Sequence, residues 1–325
     1  MHLIGCECET VIPEGAARVG EYHAGRIVLF LDGHLQVVAD GHGDSSRTGR
    51  WTAEGDSSIQ PEEGEMGAEL VSPLFELNSR SMQSMCEGLL EWRTSTDART
   101  NPSCGTHISV STSREWDSTD LATAIAIASL IEPAVAAATG SNRRIGRNYA
   151  EKIPADGHQR GKPRHANICG ANTRGMARES WLNVMNVQGG RIRSSENARI
   201  EFRAWTGTTN PSRLFAWAVL SAAIVGAMEE RRAICLPHEL FDHTTAFGTG
   251  EQALRALFVT LGWSHRSGVS RNSPRPARDT DSAAGWRHVA DVVDRDIAGR
   301  SRTLSTTMQT LIELARRHDA RLGGE

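Results

Sequence analysis

Cysteine is scarce in this chain: its 325 residues include only six, at positions 6, 8, 86, 104, 169 and 235. No signal-peptide pattern precedes them, so the sequence predicts a reducing, cytoplasmic location. The pair Cys6-x-Cys8 could suggest zinc, but no second pair with finger-like spacing follows it. We interpret both residues as small buried side chains on the back of a strand.

The sequence also lacks a cluster of basic residues and a clear membrane-spanning run of hydrophobic residues. Net charge is −3, and Lys152 and Lys162 are the only lysines beside scattered arginines, which argues against a nucleic-acid surface. The longest apolar run, residues 121–140, contains Glu132-Pro133 and predicts a buried helix rather than a membrane span. There is no P-loop, Rossmann glycine fingerprint or internal repeat.

The most informative stretch that is present is residues 199–205, which alternates as a strand does. The side chains predicted to face a core are Ile200, Phe202 and Ala204. Those predicted on the other face are Arg199, Glu201, Arg203 and Trp205. A carboxylate and a guanidinium on one face suit holding a metal and neutralising a phosphate, although an ordinary solvated strand has the same pattern.

Three other predicted strands repeat this polar face. Glu7 and Glu9 share one face of the first strand, Glu69 lies on a strand that ends at Pro73, and His107 lies on another. In one antiparallel sheet, these side chains and Glu201 would converge on its concave side. Carboxylates at close range repel each other, and Mg²⁺ or Mn²⁺ would relieve that repulsion. Metal with arginine is typical of phosphoryl transfer.

Apolar residues with helical spacing occupy the segments between and after these strands. The helices are predicted over residues 77–92, from a cap near Ser118 or Asp120 to Gly140, from the Asn210 cap to residue 228, from Thr249 to Gly262, and over residues 286–297 and 304–322. The pattern predicts an α+β fold with two parts: a catalytic domain over residues 1–230 and a helical region over 231–325. A flexible loop is predicted near residues 263–283. The apolar faces of the C-terminal helices are compatible with a homo-oligomer.

Five motifs in order resemble those of the putative amidoligase family, which is similar to glutamate–cysteine ligases and glutamine synthetase. They are Gly5-Cys-Glu7-Cys-Glu9, Trp51 to Ser58, Glu69 to Pro73, Cys104 to His107, and Ile200 to Thr208. The resemblance covers about residues 3 to 228. Family members often have a second histidine where Ser109 stands, and usually aliphatic residues in place of Cys6 and Cys8.

The resemblance implies an antiparallel sheet curled into a funnel, as in glutamine synthetase, that holds ATP and Mg²⁺ or Mn²⁺. The implied metal ligands are Glu7, Glu9, Glu69, Glu201 and His107, with His107 on metal or nucleotide phosphate. Arg203 would neutralise the transferring phosphoryl group, so the implied catalytic residues are Arg203, Glu201 and His107. The positions implied to contact the nucleotide are Arg144, Arg147, Arg178 and Asn183.

The implied activity is an ATP-dependent ligase that joins a small-molecule or peptide carboxylate to an amine through an acyl phosphate. Two alternatives remain open at this stage. A phosphotransferase would keep the fold and stop at phosphorylation, and a non-catalytic member would serve as a scaffold or binding subunit. Clustered carboxylates argue against the scaffold, because a purely structural sheet does not require them.

Overall fold

The computed structural model describes residues 2–16, 18–23, 26–30, 51–77, 79–114, 116–140, 150, 180–184, 187, 198–230, 249–261, 263 and 302–322. Within these residues the chain is an α+β protein. Its single sheet is antiparallel throughout, and its two edge strands do not pair with each other. The predicted fold class is confirmed to this extent.

Within the described residues, nine strands form the sheet. They are β1 (Leu3–Pro13), β2 (Arg18–His23), β3 (Arg26–Phe30), β4 (Thr52–Gly55), β5 (Glu65–Val71), β6 (Phe75–Glu76), β7 (Gly105–Ser111), β8 (Leu182–Asn183) and β9 (Arg199–Thr206). Their spatial order is β2-β3-β4-β5-β1-β7-β9-β8, and β6 pairs with the start of β1. The first strand of the sequence therefore lies in the interior of the sheet.

The described helices are α1 (Ser79–Thr96), α2 (Ser118–Ala138), α3 (Pro211–Glu229), α4 (Gly250–Thr260) and α5 (Arg302–Leu322). The apolar spacing predicted for α1 is largely correct, because Met82, Met85 and Leu89 are buried. Leu90 is an exception, since 40% of its surface is exposed.

The helix ends follow local hydrogen bonding. Asp117, rather than the predicted Ser118 or Asp120, is the N-cap of α2, and Asp120 completes a capping box with it. The chain leaves α2 at Gly140, as predicted, with a φ of +70° that glycine adopts without strain. Asn210 caps α3 by accepting hydrogen bonds from the backbone N–H groups of Ser212 and Arg213, which confirms the predicted start.

The apolar face of the sheet packs against α1 and α3. Trp205 of β9 stacks on Trp217 of α3, with ring centroids 5.5 Å apart, and donates a hydrogen bond to Ser221 Oγ. Helix α3 is long and apolar enough to cross a membrane, but it is mostly buried inside this core. Helix α2, predicted as a buried helix, lies in the same core.

The C-terminal helices pack on α2 and α3. Asp319 of α5 accepts hydrogen bonds from the backbone N–H groups of Gly250 and Glu251, which fixes α5 against the start of α4. Leu254 and Leu311 belong to the same hydrophobic core as the sheet. The predicted helix over 286–297, and all of the predicted loop beyond residue 263, lie outside the described residues, and the boundary at residue 230 stays a prediction.

One glycine tests the packing of α1 against the sheet. A Cβ built at Gly88 would lie 2.5 Å from Trp51 Cε2 and still closer to Nε1. Replacing a helical glycine with alanine normally stabilises a helix, but here the indole has to move. We expect Gly88→Ala to lower the free energy of unfolding by about 2 kcal/mol, measured by urea denaturation.

The matched control is Ser84→Ala, at an exposed position of the same helix. It adds helix propensity without a clash, so its unfolding midpoint should equal or exceed that of the wild type. A Gly88→Ala protein as stable as this control would contradict the packing described for Trp51.

Candidate functional site

Cross-strand pairing places the predicted polar residues on one face of the sheet. Glu7 of β1 pairs with His107 of β7, and Glu9 of β1 pairs with Glu69 of β5. Glu201 of β9 lies one strand further, on the far side of β7. Directly paired residues project to the same face, so four carboxylates and one imidazole lie on the face opposite the helices.

His107 lies at the centre of this group. Its Nδ1 is 3.3 Å from Glu7 Oε2 and 3.7 Å from Glu201 Oε1, while its Nε2 is 3.4 Å from Glu9 Oε1. The side chain is 4% exposed. Among the described residues, Nε2 has no hydrogen-bond partner of good geometry. A buried imidazole nitrogen in this state is unfavourable unless another group binds it.

The acidic residues fall into two groups that share His107. In Glu7–His107–Glu201, and again in Glu9–Glu69–His107, one ligand atom from each residue lies within 4.8 Å of the others. Carboxylate oxygens with a single imidazole nitrogen form a donor set that suits Mn²⁺, and oxygen-rich sites suit Mg²⁺. Each group could hold a divalent cation.

Glu7 is partly exposed to solvent, as Glu69 is, and 37% of its side chain is accessible. Burial raises the pKa of its carboxyl. The hydrogen bond and charge of His107, with the charges of Arg199 and Arg203, outweigh that effect and lower the pKa to about 2. Glu7 is therefore ionised at neutral pH and available as a hard oxygen ligand.

Glu201 and Glu9 are held by neighbouring donors. Arg203 Nη1 donates to Glu201 Oε1, and Asn183 Nδ2 on the edge strand donates to Glu201 Oε2 at 2.8 Å. The backbone N–H of Gly105 donates to Glu9 Oε2. These hydrogen bonds fix the orientation of two carboxylates before any ligand arrives.

A β-bulge corrects one prediction for β9. Ile108 pairs with Phe202, and Thr106 pairs with Trp205. Between these two pairs β9 advances by three residues while β7 advances by two. The extra residue breaks the alternation after Arg203. Trp205 consequently lies in the core, fully buried against α3, and not on the polar face where strict alternation places it.

Sequence reasoning missed two residues of β4. Glu54 pairs with Glu69, which itself pairs with Glu9, so three carboxylates lie abreast on neighbouring strands. Glu54 is only 4% exposed. Thr52 lies two residues earlier on the same face, and its buried hydroxyl has no hydrogen-bond partner among the described residues. The alternation of Thr52-Ala-Glu54 indicates that the two side chains share a face, but not which strand they pair with.

The motifs also contain residues with structural roles. Asp56 Oδ1 accepts a hydrogen bond from the Ser58 N–H at 2.7 Å and shapes a turn. Ser72 Oγ accepts from the Cys6 N–H at 2.8 Å and ties β1 to the chain after β5. A Cβ at Gly207 would lie 2.5 Å from Cys104 Cβ, so that close approach requires glycine.

The structure also gives the positions of Ser109, Cys6 and Cys8, which the sequence analysis singled out. Ser109 pairs with Glu201 and is half-buried beside it. Cys6 and Cys8 are buried in the core, where a mutual hydrogen bond and burial raise the pKa of the Cys8 thiol. This placement agrees with their interpretation as small buried residues. The three predicted nucleotide contacts Arg144, Arg147 and Arg178 lie outside the described residues.

Comparison with known proteins gives a family match. A family model described as a putative amidoligase enzyme matches residues 16–225, which is more than half of the chain. The match contains Glu69, His107, Glu201 and Arg203, whereas Glu7 and Glu9 precede it. Strand pairing nevertheless places those two beside Glu69 and His107. No curated protein matches the chain.

The ion pair between Arg203 and Glu201 gives a stability test. Both side chains are about nine-tenths buried, so removing the cation alone leaves a buried carboxylate with one fewer partner. We expect Arg203→Met to lower the free energy of unfolding by about 2 kcal/mol or more without divalent cations. Urea denaturation of the single variants and of Arg203→Met/Glu201→Gln measures the coupling.

The double variant should recover much of that loss, because neither charge then remains. If the two single effects simply add, the ion pair does not couple these residues.

Proposed function

Because the chain belongs to the putative amidoligase family, whose name indicates an amide-bond ligase, we propose that it is an ATP-dependent carboxylate–amine ligase. The observation that carries this proposal is the set of carboxylates around His107. The buried Nε2 of His107 lies 3.4 Å from Glu9 but has no hydrogen-bond partner of good geometry among the described residues. The adjacent Arg203 supplies a cation for phosphate. This combination suits chemistry that transfers a phosphoryl group.

The donor set fits Mg²⁺ or Mn²⁺. When Nδ1 of His107 carries the proton and donates it to Glu7, the Nε2 lone pair points toward Glu9 and needs a cation or proton there. We assign His107, Glu9 and Glu69 to one metal position, with Glu54 beside it, and Glu7 and Glu201 to another. A bound cation would neutralise phosphate oxygens and orient ATP.

The proposed reaction has two steps. A carboxylate oxygen of the substrate attacks the γ-phosphorus of ATP, the bond to the bridging oxygen breaks, and ADP leaves with that electron pair. An amine nitrogen then attacks the carbonyl carbon of the acyl phosphate, phosphate departs, and the nitrogen loses a proton. Arg203 would offset the negative charge on the transferring phosphoryl group. Glu201, itself oriented by Asn183, would hold Arg203 in place.

The remaining features belong to the same proposal. We propose that the sheet curls into a funnel of the glutamine synthetase type, and that Arg144, Arg147, Arg178 and Asn183 contact the nucleotide. The substrates would be a small-molecule or peptide carboxylate and an amine. The enzyme would act in the cytoplasm, where ATP and Mg²⁺ are available.

Metal binding can be tested without knowing the substrates. We expect Glu69→Gln to weaken Mn²⁺ binding at least about tenfold, because it removes one anionic ligand. Titration followed by the electron paramagnetic resonance signal of free Mn²⁺ measures this. Glu87→Gln, an exposed change on α1, is the matched control and should bind as the wild type does. Equal binding by both variants would contradict the metal assignment.

Catalysis is tested by ADP and phosphate release with Mg²⁺, ATP and pools of amino acids, with and without added amines. We expect release to require both a carboxylate and an amine. Glu201→Gln should reduce it about 100-fold or more, whereas Glu87→Gln should not.

Full activity in Glu201→Gln would refute the assigned site. A stable phosphorylated product formed without an amine would indicate a phosphotransferase instead. No release, with no ATP binding by calorimetry, would indicate the scaffold alternative.

A further inference from the structure

The polar face of the sheet continues past the carboxylates toward the start of β1. Gly5 of β1 pairs with Ser109 of β7, and Ser109 pairs with Glu201 of β9. Directly paired residues project to the same face, so these three form a row across the polar face. A Cβ built at Gly5 would lie 3.4 Å from Cδ2 of Leu74, a side chain that is 44% exposed. Beside Glu201 the face therefore offers a hydroxyl, a glycine without a side chain and an accessible methyl group.

Arg199 lies one row farther out on the same face. It precedes Glu201 by two residues and pairs with Ser111 of β7. The Cα atoms of Arg199 and Glu201 are therefore about 7 Å apart along the strand. The Arg199 side chain is exposed, and it has no ion-pair or hydrogen-bond partner among the residues that the structure describes. Its guanidinium is available to a molecule that lies over Gly5 and Ser109.

Arg199 and Arg203 differ in their surroundings, although both act on the carboxylates. Burial raises the pKa of the Glu7 carboxyl. The hydrogen bond and charge of His107, and then the charges of the two arginines, lower that pKa to about 2. Arg203 is nine-tenths buried and is bound to Glu201. One cation is thus held among the carboxylates, and a second cation lies at the solvent-exposed end of the same face.

We propose that Arg199 binds a non-reacting carboxylate group of one substrate, and that this substrate lies over Gly5 beside Leu74. This assignment rests on the proposed ligase activity and gives its substrate class, because one substrate then carries an anionic group besides the group that reacts. Guanidinium and carboxylate groups match in geometry and form paired, charge-assisted hydrogen bonds. The Ser109 hydroxyl can donate a further hydrogen bond to the same molecule.

Paired substrate pools in the ADP-release assay test this assignment. In one pair, the amine is supplied either as amino acids or as amino acid amides, which lack the α-carboxylate. In the other pair, the carboxylate substrate is supplied either as dicarboxylic acids or as their monoamides. We expect the wild type to discriminate against the uncharged analogue in one pair, which identifies the substrate that Arg199 binds.

Arg199→Met should lower kcat/KM for the carboxylate-bearing substrate at least about tenfold, mainly by raising KM, and leave the uncharged analogue nearly unchanged. Arg199→Lys should recover part of that loss, because it keeps the charge without the paired hydrogen bonds. Arg93→Met is the matched control, at an exposed arginine on α1, and should discriminate as the wild type does. The urea midpoint of Arg199→Met should equal that of the wild type, and a lower midpoint would overturn the assignment by indicating a structural role.

The outcomes separate this assignment from the ligase proposal. If Arg199→Met discriminates as strongly as the wild type, or the wild type discriminates in neither pair, Arg199 does not bind a substrate carboxylate. The ligase proposal would still stand in that case, because ADP release would still require both substrates. Absence of ADP release by the wild type from every pool would overturn the ligase proposal and this assignment together.

Discussion

Mutual repulsion among carboxylates on one face of a sheet is the constraint on which the rest of this structure depends. Glu7, Glu9 and Glu201 surround His107 at hydrogen-bond or ion-pair range. The repulsion on this face destabilises the sheet. Burial of apolar side chains on the opposite face, where the sheet packs on α1 and α3, stabilises the sheet and offsets that repulsion. Interior strand β1 contributes to both faces, with glutamates on one and buried cysteines on the other.

The polar face could be predicted because it depends mainly on local alternation. A period of two places Glu7 and Glu9, or Glu201 and Arg203, on one side of their own strands whatever the partner strand. Pro73, two residues after β5, marked where that strand ends. The helix caps at Asn210 and Thr249 are likewise local, because a side chain there bonds to N–H groups two or three residues later.

Features that depend on distant pairing could not be predicted. Glu54 becomes part of the carboxylate row only through its pairing with Glu69, across a turn whose length does not determine register. The burial of Trp205 depends on a β-bulge that the alternation of residues 199–205 does not indicate. The cap of α2 was misassigned because Asp117, Ser118 and Asp120 are all good N-cap residues. In the structure Asp120 is bound by Arg114 and by the Asp117 N–H, and Asp117 is the cap.

The bulge in β9 also bears on how this chain is aligned with its relatives. Glu201 and Arg203 lie on the polar face, while Trp205, two positions after Arg203, lies in the core, so the strand contains one residue more than regular alternation needs. A relative that lacks one residue between Arg203 and Trp205 would place the same arginine on the polar face and the same indole in the core of a regular strand. A one-residue gap at Ala204 in an alignment would therefore mark a β9 strand without the bulge, and not the loss of the polar face.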